Sequence, residues 1–246
     1  MKIFLYIFLG FCAEMIDGTA GMAYGVSSST FLRAAGIPSS VSSACVHSAE
    51  VFTTLASGIS HLMMRNVDKR LFKMLILGGI PGGILGAWML SSFESRTLDI
   101  IIDLYLIVMG IVILLKAFQK RTEKRIFGRY VYPLGFAGGF SDAMGGGGWG
   151  PVVTSTLLAT DHDVRKSIGT VNTAEFLVTL AETTTFVLML DNIRNYGTII
   201  IGLILGGVIA APVAAKLCKK IPLRGMLFFV GTLVIILNVY KLIGHL

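Results

Sequence analysis

Eight apolar segments follow one another along the chain, separated by short stretches that carry most of the charged residues. They cover residues 3–33, 41–64, 71–91 and 97–118 in the first half, and 131–159, 167–190, 196–217 and 222–244 in the second. An α-helix of about 20 apolar residues is long enough to cross a bilayer. The pattern therefore predicts an all-α polytopic membrane protein.

Glycine interrupts the first segment of each half. Residues 142–150 read DAMGGGGWG, and residues 17–25 read DGTAGMAYG. Each Gly costs a helix about 1 kcal/mol relative to Ala, and irregular backbone in a bilayer needs protein or water around it. Each half is therefore expected to open with a Gly-broken helix, either re-entrant or discontinuous. Such breaks are typical of binding sites in transporters.

The two halves are related by a shift of 125 residues. This shift gives 15 identities in the 48 ungapped positions from Leu9 to Ala56. Asp17 aligns with Asp142, and Glu50 aligns with Glu175. We therefore predict a duplication, with one membrane repeat at 1–120 and a second at 126–246, together forming one transport domain.

Composition agrees with a membrane protein and excludes a soluble domain. Hydrophobic residues make up 54% of the chain, charged residues only 14%, and the mean hydropathy is +0.78. The net charge of +7 needs no nucleic-acid partner, because cytoplasmic loops of membrane proteins are rich in Lys and Arg. The three cysteines have no paired spacing and are interpreted as small core residues.

The distribution of the 21 Lys and Arg residues distinguishes between two topologies. If all eight segments cross the membrane, the two sides carry 13 and 8 basic residues; if the first segment of each half re-enters, they carry 16 and 5. The positive-inside rule favours the second topology. It has six spanning helices, two hairpins, inverted repeats and both termini outside the cytoplasm.

The residues around each break are candidates for binding an anion, because the unpaired N–H groups at a helix start attract negative charge. Hydroxyl groups would add donors, and the two aromatic residues would form walls. The candidates are Gly21, Tyr24, Gly25, Ser27 and Ser28 in the first half, and Gly146, Gly147, Gly148, Trp149, Gly150 and Thr154 in the second. The alternative is helix packing, since both turns also contain small-xxx-small motifs.

Four acidic residues accompany these turns. Glu50 and Glu175 occupy matched positions, and we interpret them as proton relays or as groups that fix the turns. Asp17 and Asp142 precede the glycines, where an Asx-type cap of the broken backbone is favoured. Four acids oppose an anion unless they are neutral or engaged in capping, and burial favours the neutral form of a carboxylic acid.

His47 lies three residues before Glu50, and its counterpart in the second half is Asn172. We interpret both as hydrogen-bond donors at the substrate site, and we predict no metal site. Asp99 and Asp103 are interpreted as interfacial. Helical spacing places four polar residues on one face of each second segment. In the first half these are His47, Glu50, Thr54 and Ser57, and in the second half they are Asn172, Glu175, Thr179 and Glu182.

The repeated Gly-Phe pairs, the Gly-rich turn at 145–150 and the sequence GTVNTAE at 169–175 resemble the sulfite exporter TauE/SafE family, also called toluene sulfonate uptake permeases. The resemblance covers the whole chain, including its length and duplication. The first copy departs from the family pattern, because residues 18–25 lack the glycine run. The resemblance implies a permease for sulfite, sulfonates or related small anions, often directed outward.

We therefore expect a secondary transporter in the cell membrane that contacts the lipid bilayer, binds a small anion and moves protons through its buried acids. A passive anion channel and a carrier of a non-sulfur carboxylate are alternatives. An enzyme is not expected, because no nucleophile–base set occurs in both halves. The sequence predicts no cofactor, and it contains no indication of oligomeric state.

Overall fold

The computed structural model describes residues 2–20, 22–93, 95–116, 118, 128–158, 164–217 and 223–245, and in these ranges the chain is helical without a β-strand. The α-helices are α1 (Lys2–Ala20), α2 (Tyr24–Ala34), α3 (Ser39–Met63), α4 (Lys69–Ser92), α5 (Arg96–Lys116), α6 (Val131–Gly145), α7 (Ser155–Leu158), α8 (Val164–Met189), α9 (Gly197–Leu217) and α10 (Leu223–His245). A π-helical turn, Gly150–Thr154, leads into α7.

Four of the described helical stretches are long and apolar enough to cross a membrane. They are Lys69–Ser92, Arg96–Leu115, Ile193–Ala211 and Leu227–Gly244. At most 44% of each apolar window is buried inside the protein, so large apolar side chains such as Leu77 and Phe229 face outward. An exposed apolar surface of this kind is what lipid covers. The prediction of an all-α polytopic membrane protein is confirmed.

The most extensive helix contacts join the first half of the chain to the second. α1 packs against α9, α4 against α6, α3 against α8, and α5 against α10. The segments 1–120 and 126–246 are therefore intertwined within one bundle. The duplication itself and the inverted orientation of the halves stay predictions.

Glycine allows two of these helix pairs to approach closely. A Cβ atom on Gly10 would lie 2.8 Å from the Cα of Leu203, and one on Gly135 would lie 2.7 Å from the carbonyl oxygen of Leu75. Small residues at helix contacts are the usual basis of packing in membranes, where apolar side chains gain little from leaving lipid. This packing holds α1 and α6, whose C-terminal ends lead into the candidate site, against the opposite half.

Candidate functional site

The first break separates α1 from α2. α1 ends at Ala20, the backbone of Ala23 has a left-handed φ of 97°, and α2 begins at Tyr24. The amide of Tyr24 donates a hydrogen bond to Oδ1 of Asp17 at 3.4 Å. The acid before the break therefore caps the helix after it, and almost every residue of α2 is buried.

The second break follows the same plan with stronger capping. α6 ends at Gly145, and Gly146 has a left-handed φ of 71°, a conformation that costs glycine nothing. The amides of Gly148 and Trp149 donate to Oδ1 of Asp142 at 2.5 and 3.0 Å. These are the contacts that the turn-fixing interpretation of Asp142 requires.

The two breaks touch each other through their backbones. A Cβ atom on Gly25 would lie 2.6 Å from the Cα of Gly147, so neither residue has room for a side chain. Ser29 reinforces the contact, because its hydroxyl donates to the carbonyl oxygen of Gly145 at 2.8 Å. The small residues in these turns therefore pack closely between the two halves.

A small cavity lies between the two breaks, with a volume of about 10 Å³. That is space for about one water molecule. Backbone of both turns and all four of the predicted acids line it. The lining residues are Asp17, Ala23, Tyr24, Gly25, Val26, Glu50, Asp142, Gly147, Gly148, Gly150, Pro151 and Glu175.

Several predicted binding residues lie outside this lining, and Gly21 lies outside the described residues. The hydroxyl of Ser27 donates to the carbonyl oxygen of Ala23 at 2.5 Å, so it is engaged within its own helix. Ser28 and Thr154 are buried away from the cavity. The others that do not line it are Gly146, Trp149, His47 and Asn172.

The two matched aromatics anchor the turns by hydrogen bonds to distant backbone. The hydroxyl of Tyr24 donates to the carbonyl oxygen of Leu203 at 3.4 Å. The indole nitrogen of Trp149 donates to the carbonyl oxygen of Val171 at 3.3 Å. Both side chains are buried. Tyr24 also lines the cavity, whereas Trp149 packs behind it.

His47 does not face the cavity but contacts two acids beside it. Its Nε2 lies 3.0 Å from Oε2 of Glu182 and 3.5 Å from Oδ2 of Asp142. Sequence reasoning placed Glu182 on the face that carries Glu175 but gave it no role. The signal was its charge, since a carboxylate in an apolar segment marks a functional position.

Potential ligand atoms of His47, Asp142 and Glu182 all lie within 4.8 Å of one another, close enough for one metal ion to touch all three. The short contact between Nε2 and Oε2 has a simpler explanation. A proton on Nε2 makes it an ion pair, and that nitrogen then offers no lone pair to a metal. The expected absence of a metal stays a prediction.

A second buried ionic group ties α2 to α5 and α10, and it corrects the interpretation of Asp103. We expected Asp103 to be interfacial, but it is fully buried, and its Oδ1 lies 2.7 Å from Nη2 of Arg33. Nε of Arg33 donates to Ser39 at 2.9 Å, and Nη1 donates to Asn238 at 3.4 Å. Asp99 is partly exposed, at 3.9 Å from the same Nη2.

The paired breaks, the cavity between them and the lipid-facing helices can be compared with known proteins. The family model described as "Sulfite exporter TauE/SafE" matches residues 6–240. The chain belongs to this family. The TauE/SafE resemblance of the motifs is thereby confirmed.

A relative of this TauE/SafE protein supports the same class. The "Probable membrane transporter protein YtnM" of Bacillus subtilis (strain 168) is 39% identical over 251 residues, covering 99% of this chain and 84% of the relative. The family and the relative both indicate a membrane permease.

Proposed function

We propose that this protein is a secondary transporter that exports a small sulfur-containing anion, sulfite or a sulfonate, through the cell membrane. The observation that carries the proposal is the cavity between the two helix breaks, which is lined by backbone of both turns and by Glu50 and Glu175. Membership of the TauE/SafE family supports the substrate class. An inside-negative potential favours exit of an anion by about 2.3 kcal/mol per charge per 100 mV.

The size of the cavity supports a carrier rather than an open pore. With about 10 Å³, it holds one water molecule and excludes sulfite, which has four non-hydrogen atoms. The turns at Gly25 and Gly147 must separate before an anion can enter. Alternating access of this kind is typical of transporters with broken helices.

Backbone amides are the donors best placed for the anion. Gly25 and Val26 belong to the first turn of α2 and line the cavity. N–H groups in the first turn of a helix have no acceptor within the helix, and the helix dipole adds positive charge there. When the turns separate, these groups would face the anion.

The acids around the cavity set the charge that the anion meets. Asp142 and Asp17 accept hydrogen bonds from amides, which offset part of their negative charge. Among the described residues, no amide caps Glu50 or Glu175, so an anion fits beside them only when they carry protons. Anion movement would then be linked to protonation of these two residues.

Orientation follows from the basic residues. The loops at 65–73 and 116–129 carry 4 and 6 Lys and Arg residues and would lie in the cytoplasm. Both termini would then lie outside it. Accessibility of cysteines introduced into each loop to an impermeant reagent on whole cells would test this orientation.

The substrate is tested by flux into proteoliposomes containing the purified protein. Sulfite, thiosulfate, sulfoacetate, acetate and succinate are compared at equal concentration. We expect the sulfur anions to move and to compete with one another. Movement of the carboxylates alone would overturn the substrate assignment.

A paired variant tests the role of the acids. Glu50→Gln with Glu175→Gln should remove the pH dependence of flux that these residues confer. Asp191→Asn, at an exposed turn, is the matched control. Flux whose pH dependence is unchanged in the double variant would exclude protonation of these glutamates from the mechanism.

A further inference from the structure

His47 on α3 and Glu182 on α8 form a contact between the two halves in which neither side chain has exposed surface. Nε2 and Oε2 lie 3.0 Å apart, and Oδ2 of Asp142 lies 3.5 Å from the same nitrogen. None of these three atoms, nor Oε1 of Glu182, has a partner with hydrogen-bond geometry. Among the described residues, these three side chains therefore have chiefly one another as polar neighbours.

The other ring nitrogen defines how many protons the contact needs. Nδ1 of His47 lies 2.7 Å from the carbonyl oxygen of Ser43. A carbonyl oxygen only accepts, so Nδ1 carries a hydrogen. Without a second proton, Nε2 would present a lone pair to a carboxylate at 3.0 Å. One further proton, on Nε2 or on Glu182, turns that repulsion into attraction.

The other ionisable groups described around the pair are acidic. Asp142 on α6 faces both members of the pair, Glu50 on α3 interacts with His47 and Glu182, and Glu175 on α8 interacts with Glu182. On α4, the missing side chain of Gly83 makes room for Glu182. No described Lys or Arg forms a salt bridge with His47, Asp142 or Glu182.

The shift of 125 residues that aligns the halves provides an internal comparison. It aligns His47 with Asn172, and Ser57 with Glu182. The aligned partners also touch, because Nδ2 of Asn172 donates to Oγ of Ser57 at 3.1 Å. The same α3–α8 contact thus occurs twice, once as a neutral hydrogen bond and once as a pair that needs a proton.

We propose that the His47–Glu182 pair is a proton-binding site that controls the contact between α3 and α8. One bound proton closes the pair, and its release through Asp142 to the cavity leaves two groups that repel each other. Asp142 fits this role because it lines the cavity and also contacts His47. The proposal rests on the proposed function as a transporter, and it adds to Glu50 and Glu175 a second proton site, which controls the helices that carry them.

Separation of α3 from α8 at the His47–Glu182 pair would move two residues of the cavity wall. α3 carries Glu50 and α8 carries Glu175, and both line it. The neutral Asn172–Ser57 pair would hold the other end of the α3–α8 interface at any pH. Loss of the proton would therefore separate the helices at one end only, as alternating access between two sides requires.

The first experiment measures stability in detergent and needs no substrate. Melting temperatures are recorded over a pH series for the wild type and for His47→Asn with Glu182→Ser, which copies the neutral pair. Stability from the bound proton is present at low pH and lost as pH rises, so the wild type should melt lower at high pH. The double variant should lose this pH-dependent component, whereas Ser57→Ala should keep it.

A second variant covers the case in which the double variant does not fold. In Glu182→Gln the side-chain amide donates to Nε2 and replaces the proton permanently. We expect this variant to remain folded and to lose the same pH-dependent component of the melting temperature. In proteoliposomes, proton movement driven by sulfite should fall by about tenfold or more, because a glutamine side chain cannot bind and release the proton.

Two results would overturn the proposal. One is a pH dependence of melting that His47→Asn with Glu182→Ser leaves unchanged. The other is one equivalent of metal in the purified protein that the same variant removes, since an ion would then take the place of the proton. If melting behaves as expected but the wild type moves no sulfur anion, the proposed substrate fails and the proton site stands.

Discussion

Gly25 and Gly147 lie backbone to backbone, so that a Cβ atom on Gly25 would be 2.6 Å from the Cα of Gly147. One glycine follows the break in the first half of the chain and the other lies within the break in the second. Their contact brings both helix breaks to one cavity. It also explains why the turns contain residues without side chains at these positions.

Gly25→Ala and Gly147→Ala should each destabilise the protein and reduce anion flux. A methyl group forced into packed backbone costs about 1–3 kcal/mol or more, and here it also pushes the cavity walls apart. Gly244→Ala is the control, because nothing lies within 4 Å of the added atom. Melting temperatures of the purified variants measure the effect. Equal stability of Gly147→Ala and Gly244→Ala would show that the turns do not touch.

Loss of the capping acid Asp142 should lower the stability of the protein more than loss of Asp17. Asp142→Ala leaves two buried amides without an acceptor, at a cost of about 1–3 kcal/mol each. Asp17→Ala removes one longer bond, at 3.4 Å, and should cost less. Unfolding in increasing SDS would rank the two variants. A larger loss for Asp17→Ala would contradict the difference in capping.

Substitution of Gly83 should destabilise the protein, because the side chain of Glu182 occupies the space beside it. A Cβ atom there would lie 2.7 Å from the Cγ of Glu182. Gly83→Ala should destabilise the wild type by about 1–3 kcal/mol and should cost less once Glu182→Ser has removed the obstructing atoms. A double-mutant cycle measures this coupling. Additive effects would mean that the two residues do not share the space.

Arg33 and Asp103 form a buried pair that should respond to loss of either partner. Asp103→Ala removes the close carboxylate and leaves the buried guanidinium group only Asp99 at 3.9 Å, which should cost about 3–5 kcal/mol. Asp99→Asn, at a side chain that is 37% exposed and 3.9 Å away, should cost about 0.2–1 kcal/mol. Replacing both partners of the buried pair, with Arg33→Met and Asp103→Leu, should restore much of the loss. A similar cost for Asp99→Asn and Asp103→Ala would refute this assignment.

The helical membrane architecture could be predicted from the sequence because its causes are local. Apolar length determines which segments become spanning helices, and the cost of glycine marks where α1 and α6 end. The acids at Asp17 and Asp142 could be assigned as caps for the same reason, since a carboxylate just before a break has orphan amides within reach.

The paired contacts could not be predicted, because they depend on how distant helices meet. Glu182 has no acidic counterpart in the first half, because the aligned residue is Ser57, so the duplication does not mark it. The position of Asp103 early in its apolar segment favours an interfacial residue, whereas its partner is Arg33, far away in the sequence near the end of α2. Ser27 was expected to face an anion, but its hydroxyl bonds back to Ala23 as serines in helices often do.

The most direct test of the account is counterflow of labelled sulfite in proteoliposomes. A carrier whose cavity opens to one side at a time should show saturable uptake that unlabelled sulfite on the opposite side accelerates. Gly147→Ala should abolish the acceleration, while Gly244→Ala should preserve it. Two results would contradict the account. One is uptake that rises linearly with the sulfite concentration and does not change with unlabelled sulfite on the opposite side, and the other is no uptake of sulfite by the wild type.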